Sequence, residues 1–121
     1  MHPAVTAYEA AYESSDPCQV ASHVATAFTG DGAIVSPWLA APVVGHDAIT
    51  THVLRTRERL VGTVSRHTSD VERVGDVLRW TWVFEENGTV VADGMDVAVL
   101  AADGRMTLLA VFDGAAPLSV A

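Results

Sequence analysis

The hydrophobic period of this 121-residue chain changes once, at Gly62, and that change constrains its architecture more than any other feature. Before Gly62 apolar residues recur at helical spacing; after it they alternate. The alternating half predicts strands at Val64–Val74, Val77–Phe84, Val90–Leu100 and Met106–Asp113. Glu86-Asn87-Gly88 and Ala102-Asp103-Gly104 separate the later runs, and Asn-Gly and Asp-Gly supply the positive backbone angles that tight hairpins need. Helices gathered at one end and an antiparallel meander at the other predict an α+β domain, with the helices covering one face of a curved sheet.

The helical half divides at its own punctuation. Ala4 to Ser14 reads as a helix with Tyr8 and Tyr12 on one face and Glu9 and Glu13 on another. Asp16 is a good N-cap and Pro17 a good first helical residue, opening a helix through Phe28 in which Val20, Val24 and Phe28 recur, and which Gly30-Asp31-Gly32 should break. Ala33 to Ser36 reads as a short strand stopped by Pro37, and residues 38–42 as a loop. A third helix follows His46-Asp47, burying Ile49, Val53, Leu54 and Leu60 and turning Arg55, Arg57, Glu58 and Arg59 mostly to solvent.

A chain of this length holds one domain, residues 1–121, without room for a second. Its formal charge of -8, from 15 acidic residues against seven arginines and no lysine, repels nucleic acid and anionic membrane surfaces. Cys18 is the single cysteine, so no internal disulfide can form, and a reducing cytoplasm is the expected location. No apolar run approaches the roughly 20 residues needed to span a bilayer, and no export signal opens the sequence. The histidines at 2, 23, 46, 52 and 67 show no metal-ligand spacing, and no glycine-rich phosphate loop occurs, so no metal or cofactor is expected.

The order helix, helix, short strand, helix, long meander resembles the nuclear transport factor 2-like superfamily, and within it the SnoaL-like polyketide cyclases and ketosteroid isomerases. The resemblance rests on Phe28 through Pro37, on Val44-Gly45-His46-Asp47-Ala48-Ile49, and on Gly94-Met95-Asp96-Val97 followed by Asp103-Gly104-Arg105-Met106. It implies a cone-shaped domain enclosing an apolar pocket, on a fold that carries isomerases, cyclases, dehydratases, epoxide hydrolases and binding modules alike. Tyr8 falls on the family's oxyanion-binding tyrosine, with Tyr12 one turn later as the alternative, and Asp96 falls on the carboxylic acid that shares the oxyanion hole. Ser36 stands where the isomerases place their general-base aspartate. A serine hydroxyl without a partner base does not abstract a proton at neutral pH, which argues against steroid isomerisation itself.

Asp96 interrupts an apolar strand, so its carboxyl is either buried against a cavity or turned outward. His67 sits in a polar run within a strand, facing away from Arg66 and Thr68, and is the remaining candidate base. Trp80, Trp82 and Phe84 alternate to form an apolar wall, either for a ligand or for a dimer contact. Trp38 is placed to close the pocket mouth, Ser36 and Tyr12 to touch substrate, and Asp113 is a second, weaker carboxylate. His46 and Asp47 are read as structural groups at a helix start.

Two functions are expected from these residues. The first is a cofactor-independent acid–base enzyme of cyclase or isomerase type, with Asp96, Tyr8 and His67 catalytic and a hydrophobic, polyketide-like or polycyclic carbonyl compound as substrate. The alternative is a non-catalytic small-molecule-binding or dimerisation module. An epoxide hydrolase is less consistent, because Arg79 lacks an evident second aspartate. A homodimer is expected, since the sheet carries apolar residues on both faces and helices for only one.

Overall fold

Prolines start the first two helices, where a missing N–H costs nothing. The computed structural model describes residues 2–114. In it α1 (Pro3–Glu13) is capped by His2, whose Nδ1 accepts from the Ala4 N–H at 3.1 Å, and α2 (Pro17–Ala27) by Asp16, whose Oδ1 accepts from the Cys18 N–H at 3.0 Å. The two helices bury Val5, Tyr8 and Ala11, and Val20, Val24 and Ala27.

Strand β1 (Phe28–Val35) begins directly where α2 ends, so Phe28 is strand rather than helix and Gly30-Asp31-Gly32 interrupts a strand. The Phe28 carbonyl is the reason. It accepts from Arg105 Nη1 at 3.3 Å and lies 2.8 Å from His46 Nε2, partners that lead the backbone out of the helical pattern. The Phe28 ring is fully buried, edge-on to Tyr8 with centroids 5.8 Å apart. Residues 29–32 then bulge, since Phe28 pairs with Met106 and the next paired residue, Ala33, with Leu108. A Cβ at Gly32 would sit 3.0 Å from Phe28 Cβ and 3.1 Å from the Met106 carbonyl, so the bulge turns back on a glycine. His46, expected to cap a helix start, instead fastens its segment to the start of β1, and the helix it opens has no side-chain cap.

The remaining elements are β2 (Val43–Val44), α3 (His46–Arg59), β3 (Val64–His67), β4 (Glu72–Val74), β5 (Val77–Glu86), β6 (Thr89–Leu100) and β7 (Met106–Asp113). The sheet order is β2-β1-β7-β6-β5-β3, with β4 also on β5. β1 runs parallel to β7, so the seven-stranded sheet is mixed and not wholly antiparallel as expected. The expected strand Val64–Val74 is two strands, because its polar middle bonds sideways to β5: Ser69 Oγ accepts the Thr81 N–H at 2.8 Å, and the Thr68 and Thr81 hydroxyls meet at 2.7 Å. The hairpin at Asn87-Gly88 has φ of 52° and 80°, as its sequence requires.

Alternation along the meander sorts its two faces. Leu78, Trp80, Ala98, Leu100 and Leu109 join the helices' apolar residues in one core, whereas Val77, Arg79, Val99 and Phe112 are exposed on the other face. α3 anchors through Ile49 and Val53. Arg57 is not free in solvent: its Nε donates to the Tyr12 carbonyl at 2.7 Å and ties α3 to α1. No helix among the described residues is long and apolar enough to cross a membrane.

Candidate functional site

The helix-covered face of the sheet does not close completely under α1 and α3. It leaves a cavity of about 920 Å³, within the size range of small-molecule sites. Tyr8, Tyr12, Ser36, Trp38, His67, Trp82 and Asp96 all line it. Trp80 and Phe84 line it as well, so the aromatic stripe of β5 faces the cavity.

Asp96 lies on β6 opposite Trp80 of β5 and is 4% exposed. The indole N–H of Trp82 donates to Asp96 Oδ1 at 2.9 Å, and no other hydrogen bond to this carboxyl occurs among the described residues. Burial pushes its pKa up to about 7; the Trp82 bond opposes the rise and the neighbouring Glu9 carboxylate adds to it. Near neutrality a substantial share of Asp96 carries a proton, and with Oδ1 occupied by the indole, Oδ2 is the oxygen left to bear it.

The α1 tyrosines face this carboxyl. Their hydroxyls are 3.1 Å apart and their rings meet edge to face with centroids at 5.1 Å. Burial raises both phenols, Tyr12 to about 12 and Tyr8 well above its ordinary value, so both remain protonated donors. One hydroxyl proton is used between them, and the other is left for a third partner.

Glu9, between the tyrosines in sequence, contacts His67 on β3: its Oε1 meets His67 Nε2, and neither atom has another partner among the described residues. The His67 ring also stacks over Trp80, with centroids 6.2 Å apart and planes 24° apart. Burial raises the Glu9 carboxyl, its largest influence, while the imidazole draws it down and Glu13 pushes it up. Helical spacing sets Glu9 on a different face from the tyrosines. Its position one residue after Tyr8 was the available signal, since adjacent helical positions differ by about 100° and can share the edge of a wide cavity.

Ser36 and Trp38 stand at the rim. Ser36 Oγ accepts the Trp38 N–H at 3.2 Å and so forms the turn after β1, and Trp38 is 57% exposed. Asp113 is exposed and does not line the cavity, which removes it as a second carboxylate. Arg79 pairs with Glu72, both more than half exposed, and neither lines the cavity. Among the described residues no three His, Cys, Asp or Glu side chains gather as a metal site.

The architecture is the nuclear transport factor 2-like α+β cone: three helices against a curved, open, mixed sheet of seven strands. Solved structures with this fold align over nearly the whole chain. A protein of the SnoaL-like family from Agrobacterium tumefaciens C58, assigned as an isomerase, superposes with a TM-score of 0.83 at 22% identity, over 93% of this chain and 95% of its own. A protein of ketosteroid isomerase-like fold from Catenulispora acidiphila, in complex with trimethylamine, gives 0.69 at 20% identity over 90% and 83%. A protein from Sinorhizobium meliloti assigned as a polyketide cyclase gives 0.63 at 18% over 89% and 92%. No family model matches the sequence, and no curated protein matches it.

Proposed function

We propose that the protein is a cofactor-independent acid–base enzyme of cyclase or isomerase type, acting on a hydrophobic carbonyl compound held in the cavity. The observation that carries this reading is the buried Asp96 carboxyl, proton-bearing near neutrality, on the same cavity as a tyrosine pair and a histidine–glutamate pair. Glu9 at His67 Nε2 favours the tautomer with its proton on that nitrogen, so Nδ1 is the ring nitrogen left to face a substrate proton. His67 Nδ1 takes a proton from the carbon next to the substrate carbonyl, and the electron pair moves to the carbonyl oxygen. Asp96 Oδ2–H and a tyrosine hydroxyl donate to the enolate oxygen so formed. Returning the proton to another carbon isomerises the compound; attack of the enolate carbon on a second carbonyl forms a carbon–carbon bond and closes a ring, the attacked oxygen becoming an alkoxide that takes back the proton held by His67.

His67 thus supplies the base that Ser36 is not, and Glu9 acts as its positioning residue. The test is proton exchange from β-tetralone in heavy water, followed by NMR. The wild type should accelerate loss of the α-proton signal, whereas Asp96→Asn and His67→Gln should each lose most of the acceleration, of the order of a hundredfold for an acid–base group. Glu9→Gln should lower kcat with little change in KM. Exchange at the solvent rate with tetralone bound would instead favour a non-catalytic carrier, the reading suggested by the serine at position 36, whose hydroxyl is engaged in a turn.

The same reading includes a homodimer formed through the outer sheet face, where Val77, Val99 and Phe112 are exposed. Light scattering should give the mass of two 12.8 kDa chains, and the mass of one would contradict it.

A further inference from the structure

α3 turns a polar stripe toward the cavity. Ala48, Thr51, His52, Arg55, Thr56 and Arg59 all line it, at the three- and four-residue spacing of one helix face, while Ile49 and Val53 face the core. The arginines expected to be solvated on an outer surface therefore stand at the mouth of the site. Three of the chain's seven arginines line this cavity in a protein of formal charge -8. Arg66 is committed to Glu85 at 2.6 Å, but Arg55 and Arg59 have no salt bridge or side-chain hydrogen bond among the described residues. The carboxylates lining the cavity are Glu9, which pairs with His67, and Asp96, buried at the sheet, so neither neutralises the arginine pair. His52, on the same stripe, has its pKa lowered by burial and secondarily by Arg59, in keeping with a guanidinium close by.

Arg55 and Arg59 are one helical turn apart, about 6 Å along the axis, a separation that lets both guanidiniums reach a single oxyanion. We infer that the molecule held in this cavity is amphipathic, an apolar body with a carboxylate or other oxyanion at one end that Arg55 and Arg59 bind at the mouth. The apolar body lies along Trp80, Trp82 and Phe84, and the anionic end remains near solvent, where arginines keep their hydration until a ligand arrives. This rests on the reading of the cavity as the ligand site and adds the charge and orientation of what enters it.

Two fluorescent probes with the same apolar skeleton separate the two claims: anilinonaphthalene sulfonate, which is anionic, and N-phenylnaphthylamine, which is neutral. The full-length protein should bind the sulfonate roughly tenfold more tightly, the scale of one charge-assisted hydrogen-bonded contact. The Arg55→Gln/Arg59→Gln variant should bind both probes equally well, at the affinity of the neutral one. The Arg73→Gln/Arg79→Gln variant, with the same change in net charge on exposed residues away from the cavity, should keep the preference. Salt should weaken only the sulfonate, as the screening length falls from about 30 Å at 0.01 M to about 3 Å at 1 M. Equal binding of the two probes to wild type, or a preference that survives loss of Arg55 and Arg59, overturns the inference and leaves the apolar site standing. Failure of both probes to bind overturns the site as well.

Discussion

Trp82 reaches Asp96 diagonally, two residues along the β5–β6 ladder, because the residue directly opposite the tryptophan is Gly94. A Cβ at Gly94 would lie 2.9 Å from Trp82 Cε2 and 2.6 Å from the Phe112 carbonyl, inside the closest approach of real side chains. The indole thus lies over a strand with no side chain beneath it, and its N–H falls within bonding distance of the carboxyl.

Gly94→Ala should therefore act on the site as well as on the fold. The methyl collides with backbone that cannot swing away, and a loss of about 2 kcal/mol or more is expected, of the size seen for overpacked cores. The Trp82–Asp96 bond should break with it. Urea titration measures the first effect and the indole N–H resonance the second; an unchanged resonance would contradict the packing described.

Replacing Asp96 with Asn should make the difference between the two proteins depend on pH. The folded pKa, about 7, lies above the ordinary 3.8, so between those values the native state holds a proton that the unfolded chain has lost. Asp96's contribution is thus fully present below the lower value and is lost as pH rises toward the upper. The gap between the two values corresponds to about 4 kcal/mol. Asn keeps an oxygen for the Trp82 N–H and does not titrate. Relative to wild type, Asp96→Asn should gain stability between about pH 4 and pH 8, up to that amount. A relative loss over the same interval in urea titrations would identify Asp96 as an ionised partner in a structural network.

Trp80 and Trp82 share a strand face but not an environment. Trp80 is 2% exposed within the core cluster, while Trp82 is only partly buried. Trp80→Ala should cost about 3–5 kcal/mol, and Trp82→Ala considerably less, because part of its ring already borders open volume. Equal losses would assign Trp82 to the core.

Much of this was legible in the sequence for identifiable reasons. Alternation placed Trp80, Trp82 and Asp96 on β5 and β6 because each strand has one buried face, and helical spacing paired Tyr8 with Tyr12. The two patterns account for Tyr8, Tyr12, His67, Trp82 and Asp96 lining one cavity, whereas Ser36 and Trp38 reach its rim through the turn after β1, which neither period describes. What was not legible depended on long-range partners. The start of β1 at Phe28 depends on His46 and Arg105, and the break between β3 and β4 depends on Thr81. Polarity misled for Glu9, Arg55 and Arg59, since a cavity accepts polar side chains as solvent does, and no local pattern distinguishes the two.

NMR titration of the isotope-labelled aspartate carboxyls tests most directly whether Asp96 is a proton-bearing carboxyl at a cavity. The Asp96 signal should titrate with a midpoint near 7, because burial outweighs the stabilising Trp82 bond. In Trp82→Phe, which removes the donor to the ionised form, the midpoint should move higher still. A midpoint in the ordinary carboxylate range of about 4, unmoved by Trp82→Phe, would contradict the account.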